Sequence, residues 1–235
     1  SDELATEFVG YKALKQAAAP ILNLLANNKS SVGELSEGEE GFIILAKTPF
    51  YAQGGGQIGD TGYLLNATSQ FLVTQTFKEG AFILHQGKLL KGHLKKGDKL
   101  KAEVDVEKRR AITLNHSATH LLHAALREVL GGHVMQKGSL VEPERLRFDF
   151  SHPDLLSTEQ LKIIEDRVNQ QIRANLPVLT QIMSREEARQ TGALAMFGEK
   201  YADKVRVLTM GDFSKELCGG THVSRTGDIG VFKIT

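Results

Sequence analysis

The sequence predicts an α+β protein in which a small antiparallel β-barrel-like domain precedes an α+β core. Between residues 31 and 104, short β-rich runs recur, and glycine or asparagine interrupts them at short intervals, as in small barrels and sandwiches. From residue 105 onwards, helical and strand patterns mix without regular βαβ alternation. We therefore expect an N-terminal helical linker segment over 1–30, the barrel-like domain over 31–104 and the α+β core over 105–235.

The N-terminal segment is predicted to be a short helix followed by a polar linker. Apolar side chains follow helical spacing between residue 3 and about residue 18, and Pro20 closes the pattern. Residues 20–30 are interpreted as a surface tether. Because the chain starts at Ser1 without methionine and stops at Thr235 inside an apparent strand, we also expect it to be a piece of a longer protein.

The strands of the barrel-like domain are predicted from runs of aromatic and β-branched residues. These runs are Phe42–Leu45, Phe71–Phe77, Phe82–Leu84 and Leu100–Val104. The glycines and asparagine between them supply turns, so we expect many short strands rather than a few long ones.

The core begins with a long amphipathic helix. Asp105 is a plausible N-cap for it, and Gly131 follows its last apolar position. Strict alternation over Arg145–Phe150 predicts a half-buried strand. Ser157 and Gln160 form the capping-box pattern of a second helix.

Composition sets the broad class. Hydrophobic residues make up 41% and charged residues 24% of the 235 residues, which is an ordinary globular balance. No apolar stretch reaches the roughly 20 residues of a membrane span, and no signal-peptide pattern opens the chain. The one cysteine, Cys218, excludes an internal disulfide and fits a reducing cytoplasm, where we expect the protein.

The sharpest functional pattern is a pair of histidines on the first long helix. His116 and His120 are four residues apart, which places both imidazoles on one helix face and close enough to share a metal ion. Far downstream, Cys218 and His222 flank two glycines that allow a tight turn between them. Imidazole nitrogen and thiolate sulfur are donors that zinc prefers, so we predict that these four residues bind Zn²⁺.

The pattern leaves two points about the metal open. His123 shares the helix face of His116 and His120, so it is either a rival ligand or a partner of a ligand. Four protein ligands describe a closed structural site, whereas catalytic zinc usually keeps three and leaves one position for water. Either His222 coordinates weakly, or the metal positions the substrate while another group acts on the water.

A glycine-rich loop and a basic run are the other functional patterns. Five glycines from Gly54 to Gly62 require positive φ angles or close approach by another part of the chain. The loop lacks the ending of a P-loop, so nucleotide binding is not expected. With a net charge of only +1, any RNA binding must come from a local patch. We expect Lys108, Arg109 and Arg110 to contact RNA phosphates, and a solvated surface is the alternative.

Several segments together resemble the editing domains of alanyl-tRNA synthetases and the related free-standing alanyl-tRNA deacylases. Asn115–His123 and Cys218–His222 resemble the two zinc motifs of that family, and Thr48–Gly62 resembles its glycine-rich loop. Gln136–Leu140 and Arg147–Phe150 fit the segments between them. Threonyl-tRNA synthetase editing domains share the zinc pairs but are not expected to carry the glycine-rich loop, which favours the alanyl family.

The resemblance implies a function as well as a fold. It implies zinc at the four predicted ligands and hydrolytic removal of serine or glycine from mischarged tRNA(Ala), an aminoacyl-tRNA deacylase activity within an alanine–tRNA ligase. The family's aminoacylation domain and C-terminal oligomerisation domain have no counterpart in the sequence, so we do not expect this chain to synthesise Ala-tRNA.

The hypotheses about substrate contacts rest on the residues near the metal motifs. The resemblance places Gln136 near the reacting ester, and Thr119 adjoins the ligand His120, although its hydroxyl could instead bond back to its own helix. We expect the loop to line the substrate cleft through Gly54, Gly55, Gly56 and Gln57. Two other classes stay open: a zinc hydrolase for a different ester, and a non-catalytic zinc-stabilised tRNA-binding module.

Overall fold

The computed structural model describes residues 5–195 and 202–235, which fall into two compact units. The barrel unit comprises the chain up to Gln53 together with Ile58–Arg109, and the core unit comprises Gly54–Gln57 together with Arg110–Thr235. The predicted α+β class is confirmed. The three-part division predicted from the sequence remains a prediction. Within the described ranges, no helix is long and apolar enough to cross a membrane.

The barrel unit is built from short strands. Its described strands are β1 (Glu7–Phe8), β2 (Lys15–Ala26), β3 (Ser31–Val32), β4 (Glu34–Ser36), β5 (Glu40–Leu45), β6 (Lys47–Thr48), β7 (Gly62–Leu65), β8 (Gln70–Glu79), β9 (Phe82–Lys91), β10 (His93–Lys95) and β11 (Lys99–Val104). Six of them pair antiparallel in the order β11-β7-β8-β9-β5-β2, and β2 pairs back onto β11 to close the barrel. The predicted antiparallel barrel is therefore confirmed.

Alternation along the strands fills the barrel with side chains. In β11, Leu100, Ala102 and Val104 point inward and are buried, whereas Lys99 and Lys101 on the opposite face are exposed. The same pattern on the other strands places Ile43, Phe71 and other large apolar side chains in one cluster. Burying side chains of this size contributes about 1.5–3 kcal/mol each, which makes the barrel interior the main source of stability for this unit.

The predicted N-terminal helix and linker are wrong. Residues 3 and 4 lie outside the described residues, and residues 15–26 form β2, which pairs with β5 and β11. The alanine-rich stretch before Pro20 favours a helix by only a few tenths of a kcal/mol per residue. Placing Ile21 and Leu24 in the barrel interior, where they are 2% and 0% exposed, outweighs that preference.

His85 is a buried histidine of the barrel, and its surroundings favour the neutral form of the ring. Its Nδ1 donates to the carbonyl of Ile43 at 2.8 Å, and in the neutral ring its Nε2 accepts a hydrogen bond from the Thr48 hydroxyl at 2.7 Å. Burial lowers the pKa of His85 to about 4, from an ordinary value of 6.5. Between these two values the unfolded chain binds a proton that the folded chain does not.

We therefore expect the barrel to lose stability as the pH falls from about 6.5 to about 4. The loss attributable to His85 is up to about 3 kcal/mol, because each unit of pKa difference is worth about 1.4 kcal/mol. Urea unfolding of the chain and of His85→Gln, each measured at pH 7 and pH 4, checks this. The variant should lose less stability than the parent over that interval. An equal loss in both would contradict the assignment.

The core unit combines helices with small sheets. Its elements are α1 (Val106–Leu130, of which the residues from Arg110 belong here), β12 (Gln136–Val141), β13 (Leu146–Phe150), α2 (Thr158–Ala174), β14 (Val178–Ser184), α3 (Arg185–Gln190), β15 (Lys204–Met210), β16 (Ser214–Leu217) and a 3₁₀ turn at Thr226–Ile229. β12 pairs with β13, and β14, β15 and β16 form an antiparallel sheet in that order.

The predicted caps define the ends of the helices. The Lys108 backbone N–H donates to Asp105 Oδ1 at 3.1 Å at the start of α1, and Gly131 follows its end with a φ of 117°. Ser157 and Gln160 form the expected capping box on α2. Apolar side chains from the middle of α1, such as Leu121 and Ala125, are buried in one cluster with Ile164 and Val168 of α2. Side chains on this stretch are therefore held in fixed orientations.

Candidate metal centre

The first pair of candidate ligands projects from the buried middle of α1. His116 is 2% exposed and His120 is fully buried. Their rings lie nearly parallel, with centroids 5.3 Å apart and an interplanar angle of 16°. This is the arrangement expected for histidines four residues apart on one face of a helix.

The second pair lies on the loop that follows β16. The Cys218 N–H donates to the carbonyl of Arg206 on β15, and Arg206 Nη1 donates to the carbonyl of Gly220 at 2.7 Å. These bonds shape a tight turn that brings His222 Nε2 to 3.2 Å from Cys218 Sγ. Gly220 lies against the ring of His116, where an added Cβ would be 2.1 Å from Cε1.

The fold brings the four predicted ligands together. One donor atom from each of His116, His120, Cys218 and His222 lies within 4.8 Å of every other. Cys218 Sγ is 3.5 Å from His116 Nε2 as well as 3.2 Å from His222 Nε2. Three imidazole nitrogens and one sulfur so placed match the donor set of a tetrahedral zinc site.

Each of the three histidines has its Nδ1 beside an oxygen. Gln57 Oε1 lies 2.7 Å from Nδ1 of His116, Glu216 Oε2 lies 3.3 Å from that of His120, and Ser117 Oγ lies 3.1 Å from that of His222. Metal-bound histidines almost always have a hydrogen-bond partner on the ring nitrogen that does not bind the metal. His116 and His222 have one here, whereas the contact of His120 with Glu216 is an ion-pair contact without hydrogen-bond geometry. The surroundings of the cluster therefore fit a metal site as well as the donors do.

Glu216 is a functional candidate that the sequence reasoning missed. It is 1% exposed and lies between two histidines, with Oε1 at 3.0 Å from Nδ1 of His123 and Oε2 near His120. His123 is hydrogen-bonded to this carboxylate and is outside the group of four donor atoms. The sequence signal that could have identified it is a charged residue at an inward-facing position of β16, next to the exposed Lys215.

The charges of the cluster favour a cation. Burial raises the pKa of Cys218, but the neighbouring histidines, His116 foremost, outweigh burial and hold that pKa well below 9.0. Burial lowers the pKa of His120, but the Cys218 thiolate and then Glu216 raise it to about 10. Burial lowers the pKa of His222 to about 3, so this ring keeps its lone pair. Without a metal, a proton on His120 offsets part of the negative charge of the Cys218 thiolate and the Glu216 carboxylate, and metal binding releases that proton.

The glycine-rich loop contributes a tight turn to the core unit. Gly54 and Gln57 exchange both backbone hydrogen bonds at 3.0 Å, and Gly55 and Gly56 between them have φ angles of 58° and 82°. Two successive positive φ angles are the requirement of a type I′ turn, which favours glycine. Gly56 packs on Ser139, where a Cβ would lie 2.8 Å from the Ser139 Cβ. Substrate contact by Gly54, Gly55 and Gly56 remains a prediction.

The two other predicted substrate residues, Gln136 and Thr119, differ in their hydrogen bonding. Gln136 lies on β12, half-buried, and its buried Oε1 has no hydrogen-bond partner in the part of the chain that the structure describes. Thr119 is 2% exposed, and its hydroxyl donates to the carbonyl of Asn115 at 2.8 Å. This is the bond back to its own helix that was the alternative for Thr119, and its substrate contact remains a prediction.

The three residues predicted to bind RNA also differ from one another in exposure. Lys108 and Arg110 are exposed, but Arg109 is only 5% exposed. The Arg109 guanidinium forms an ion pair with Asp60 and donates to the carbonyls of Gly10 and Pro49. The prediction that Arg109 contacts phosphate is wrong, because a buried guanidinium with these partners has a structural role in the barrel unit. Phosphate contact by Lys108 and Arg110 remains a prediction.

Comparison with known families places this architecture in a class. Residues 2–108 match a family described as tRNA synthetases class II (A). Residues 205–235, which contain Cys218 and His222, match a family described as the threonyl and alanyl tRNA synthetase second additional domain. The barrel unit and the segment that contains Cys218 and His222 therefore both match families of tRNA synthetases.

Among tRNA synthetases, individual relatives of this chain are alanine–tRNA ligases. The chain is 56% identical over 233 residues to an alanine–tRNA ligase of Nitrosococcus oceani, covering 99% of this chain and 27% of that protein. It is 56% identical to alanine–tRNA ligases of Pseudomonas fluorescens and Coxiella burnetii, covering 99% and 97% of this chain and 26% of each relative. The chain therefore spans about a quarter of the length of these relatives. The resemblance to alanyl-tRNA synthetases is confirmed, and the chain is similar to a segment of these relatives.

Proposed function

We propose that this chain is the editing region of an alanyl-tRNA synthetase and hydrolyses the ester that joins serine or glycine to mischarged tRNA(Ala). The observation that carries the proposal is the buried group of three histidines and one cysteine, whose donor atoms lie within 4.8 Å of one another. An oxygen beside Nδ1 of each histidine supports metal binding further. The similarity to alanine–tRNA ligases supplies the substrate class.

The need for such a site follows from the limits of selective binding. A pocket shaped for alanine does not exclude the smaller glycine, and one additional hydroxyl changes binding to an apolar pocket by only about 1–3 kcal/mol. A second site that forms a hydrogen bond with the serine hydroxyl can act on serine and spare alanine, because alanine leaves the polar group of that site unpaired.

The residues of the core unit suit this role. Zinc bound by His116, His120, Cys218 and His222 would supply Lewis-acid stabilisation of the developing oxyanion or orient the attacking water. The Gln136 amide oxygen, buried and without a partner among the described residues, is able to accept a hydrogen bond from the serine hydroxyl or from water. Pairing with the serine hydroxyl would affect only the hydrolysis of Ser-tRNA(Ala), whereas orienting water would affect the hydrolysis of every substrate.

Replacing Gln136 with alanine is expected to slow serine release from Ser-tRNA(Ala) while leaving glycine release from Gly-tRNA(Ala) unchanged. Glycine carries no hydroxyl, so it serves as the internal control, and the expected loss for serine is about 5- to 150-fold. A Gln136 that orients water would slow both substrates equally. Single-turnover hydrolysis of both substrates is the measurement, with exposed Gln181→Ala as the matched control variant. Unchanged rates on both substrates would contradict a role for Gln136.

One observation favours a second function, a non-catalytic zinc-stabilised tRNA-binding module. Four protein donors fill a tetrahedral shell, as in structural zinc sites, whereas catalytic zinc usually keeps an open position. Incubating the unmodified chain with Ser-tRNA(Ala) separates the two functions. Rapid serine release supports editing, and binding without release supports the module and overturns the editing proposal.

A further inference from the structure

Gln57 connects the two halves of the metal centre. It is fully buried at the end of the turn that the glycine-rich loop contributes to the core unit. Its Oε1 lies 2.7 Å from Nδ1 of His116 on α1 and accepts from the Thr221 N–H at 3.0 Å. Its Nε2 donates to Thr221 Oγ1 at 2.9 Å. Thr221 stands between Gly220 and His222, so one side chain holds a ligand of each motif in place.

The bonds to Thr221 fix which end of the Gln57 amide faces His116. A backbone N–H only donates, so the atom 3.0 Å from the Thr221 nitrogen must be the amide oxygen. The amide NH₂ then faces the Thr221 hydroxyl, which lies 3.0 Å from Thr113 Oγ1 and is able to accept. The orientation of the amide therefore follows from hydrogen-bond chemistry.

This orientation in turn fixes the tautomer of His116. The Gln57 oxygen cannot donate, so Nδ1 of His116 must carry the proton that they share. In the neutral ring, Nε2 is then the nitrogen with the free lone pair, and it is the nitrogen that lies 3.5 Å from Cys218 Sγ. A tautomer with the proton on Nε2 would place a hydrogen where a metal ion has to bind.

We propose that Gln57 is a positioning residue of the metal centre, and not a substrate contact as the loop's sequence suggested. It sets the His116 tautomer that presents Nε2 to a first-row divalent metal, and it holds the Thr221 backbone between Gly220 and His222 in register with α1. The glycines before it serve this placement, since the positive φ angles of Gly55 and Gly56 form the turn that delivers Gln57. The inference rests on the proposed metal site but not on hydrolysis.

Zinc affinity, measured by competition with a chromophoric chelator, tests the proposal on the full chain. Gln57→Met keeps the length of the side chain but removes both polar atoms, and we expect it to weaken zinc binding by about 10- to 100-fold. Gln57→Glu keeps an acceptor for both His116 and Thr221, so its affinity should stay close to or above that of the parent. Gln181→Met, at an exposed position of β14, is the matched control and should bind zinc as the parent does.

A second readout separates tautomer control from general damage to the fold. Long-range ¹H–¹⁵N spectra of the metal-free proteins report which nitrogen of His116 carries the proton. We expect the Nδ1–H form in the parent and in Gln57→Glu, and a mixture of forms in Gln57→Met. Zinc affinity of Gln57→Met equal to that of the parent, or an unchanged His116 tautomer in that variant, would overturn the proposal. Loss of serine release in a variant that binds zinc normally would instead concern the proposed hydrolysis.

Discussion

Replacing Cys218 with alanine is expected to reduce zinc affinity by more than about 100-fold. Loss of a group that only holds a ligand costs about 10- to 100-fold in affinity, and loss of the one thiolate donor should cost more. Cys218 is the centre of the cluster, with Nε2 of His116 at 3.5 Å and of His222 at 3.2 Å. Without the thiolate, the remaining donors are imidazoles, and much of the negative charge that favours a cation is lost.

Metal analysis after dialysis against a weak chelator measures this effect. The parent should retain one zinc per chain and Cys218→Ala should retain little. His93→Ala, which removes an exposed histidine of the barrel unit, is the control and should retain zinc fully. Full occupancy in Cys218→Ala would show that the metal binds elsewhere.

The second large effect is expected at Gly220, where substitution with alanine should disrupt the centre without removing any ligand. The added Cβ would lie 2.1 Å from Cε1 and 2.4 Å from Nδ1 of His116, far inside van der Waals contact. Because α1 is buried here, the His116 ring has little room to move, and displacement would break its hydrogen bond with Gln57. Crowding of this kind costs about 1–3 kcal/mol or more in stability.

Thermal unfolding of the metal-free protein and zinc competition together test this prediction. Gly220→Ala should lower both the unfolding temperature and the zinc affinity. Gly33→Ala is the matched control, because its Cβ meets nothing within 4 Å and its φ is not positive. That variant should keep the zinc affinity of the parent and unfold at the same or a slightly higher temperature. If the two variants behave alike, close packing of Gly220 on His116 is not required.

The grouping of the four candidate ligands could be predicted because the signals within each motif are local. A spacing of four residues places His116 and His120 on one helix face whatever the tertiary fold, and the donor types alone suggest joining them with Cys218 and His222. The barrel was predictable for a similar reason, since alternation along each strand follows from strand geometry. The spacing within each motif and the alternation along each strand depend only on covalent geometry, whereas the contact between the two motifs and the closure of the barrel are long-range.

The partners of those ligands could not be predicted, because they come from distant or unpatterned positions. Gln57 is 59 residues from His116 in sequence, and nothing in the spacing of the loop indicates that its side chain faces a histidine. The strand β2 was missed because its pairing with β5 and β11 outweighs a local preference for helix.

The error at Arg109 had a signal that was available in the sequence. Successive residues of a helix point about 100° apart, so Lys108, Arg109 and Arg110 cannot all face one RNA surface. At least one of the three had to point away from such a surface, and Arg109 is the one that the fold buries beside Asp60. In a basic run on a helix, the direction in which each side chain points therefore indicates which residues can reach RNA better than the number of charges does.

X-ray absorption spectroscopy at the zinc edge on the metal-loaded chain tests most directly whether the two motifs form one metal centre. We expect nitrogen neighbours at about 2.0–2.1 Å, assigned to His116, His120 and His222, and one sulfur neighbour at about 2.3 Å from Cys218. A spectrum with no sulfur neighbour, or with no imidazole nitrogens, would contradict a centre built from both motifs.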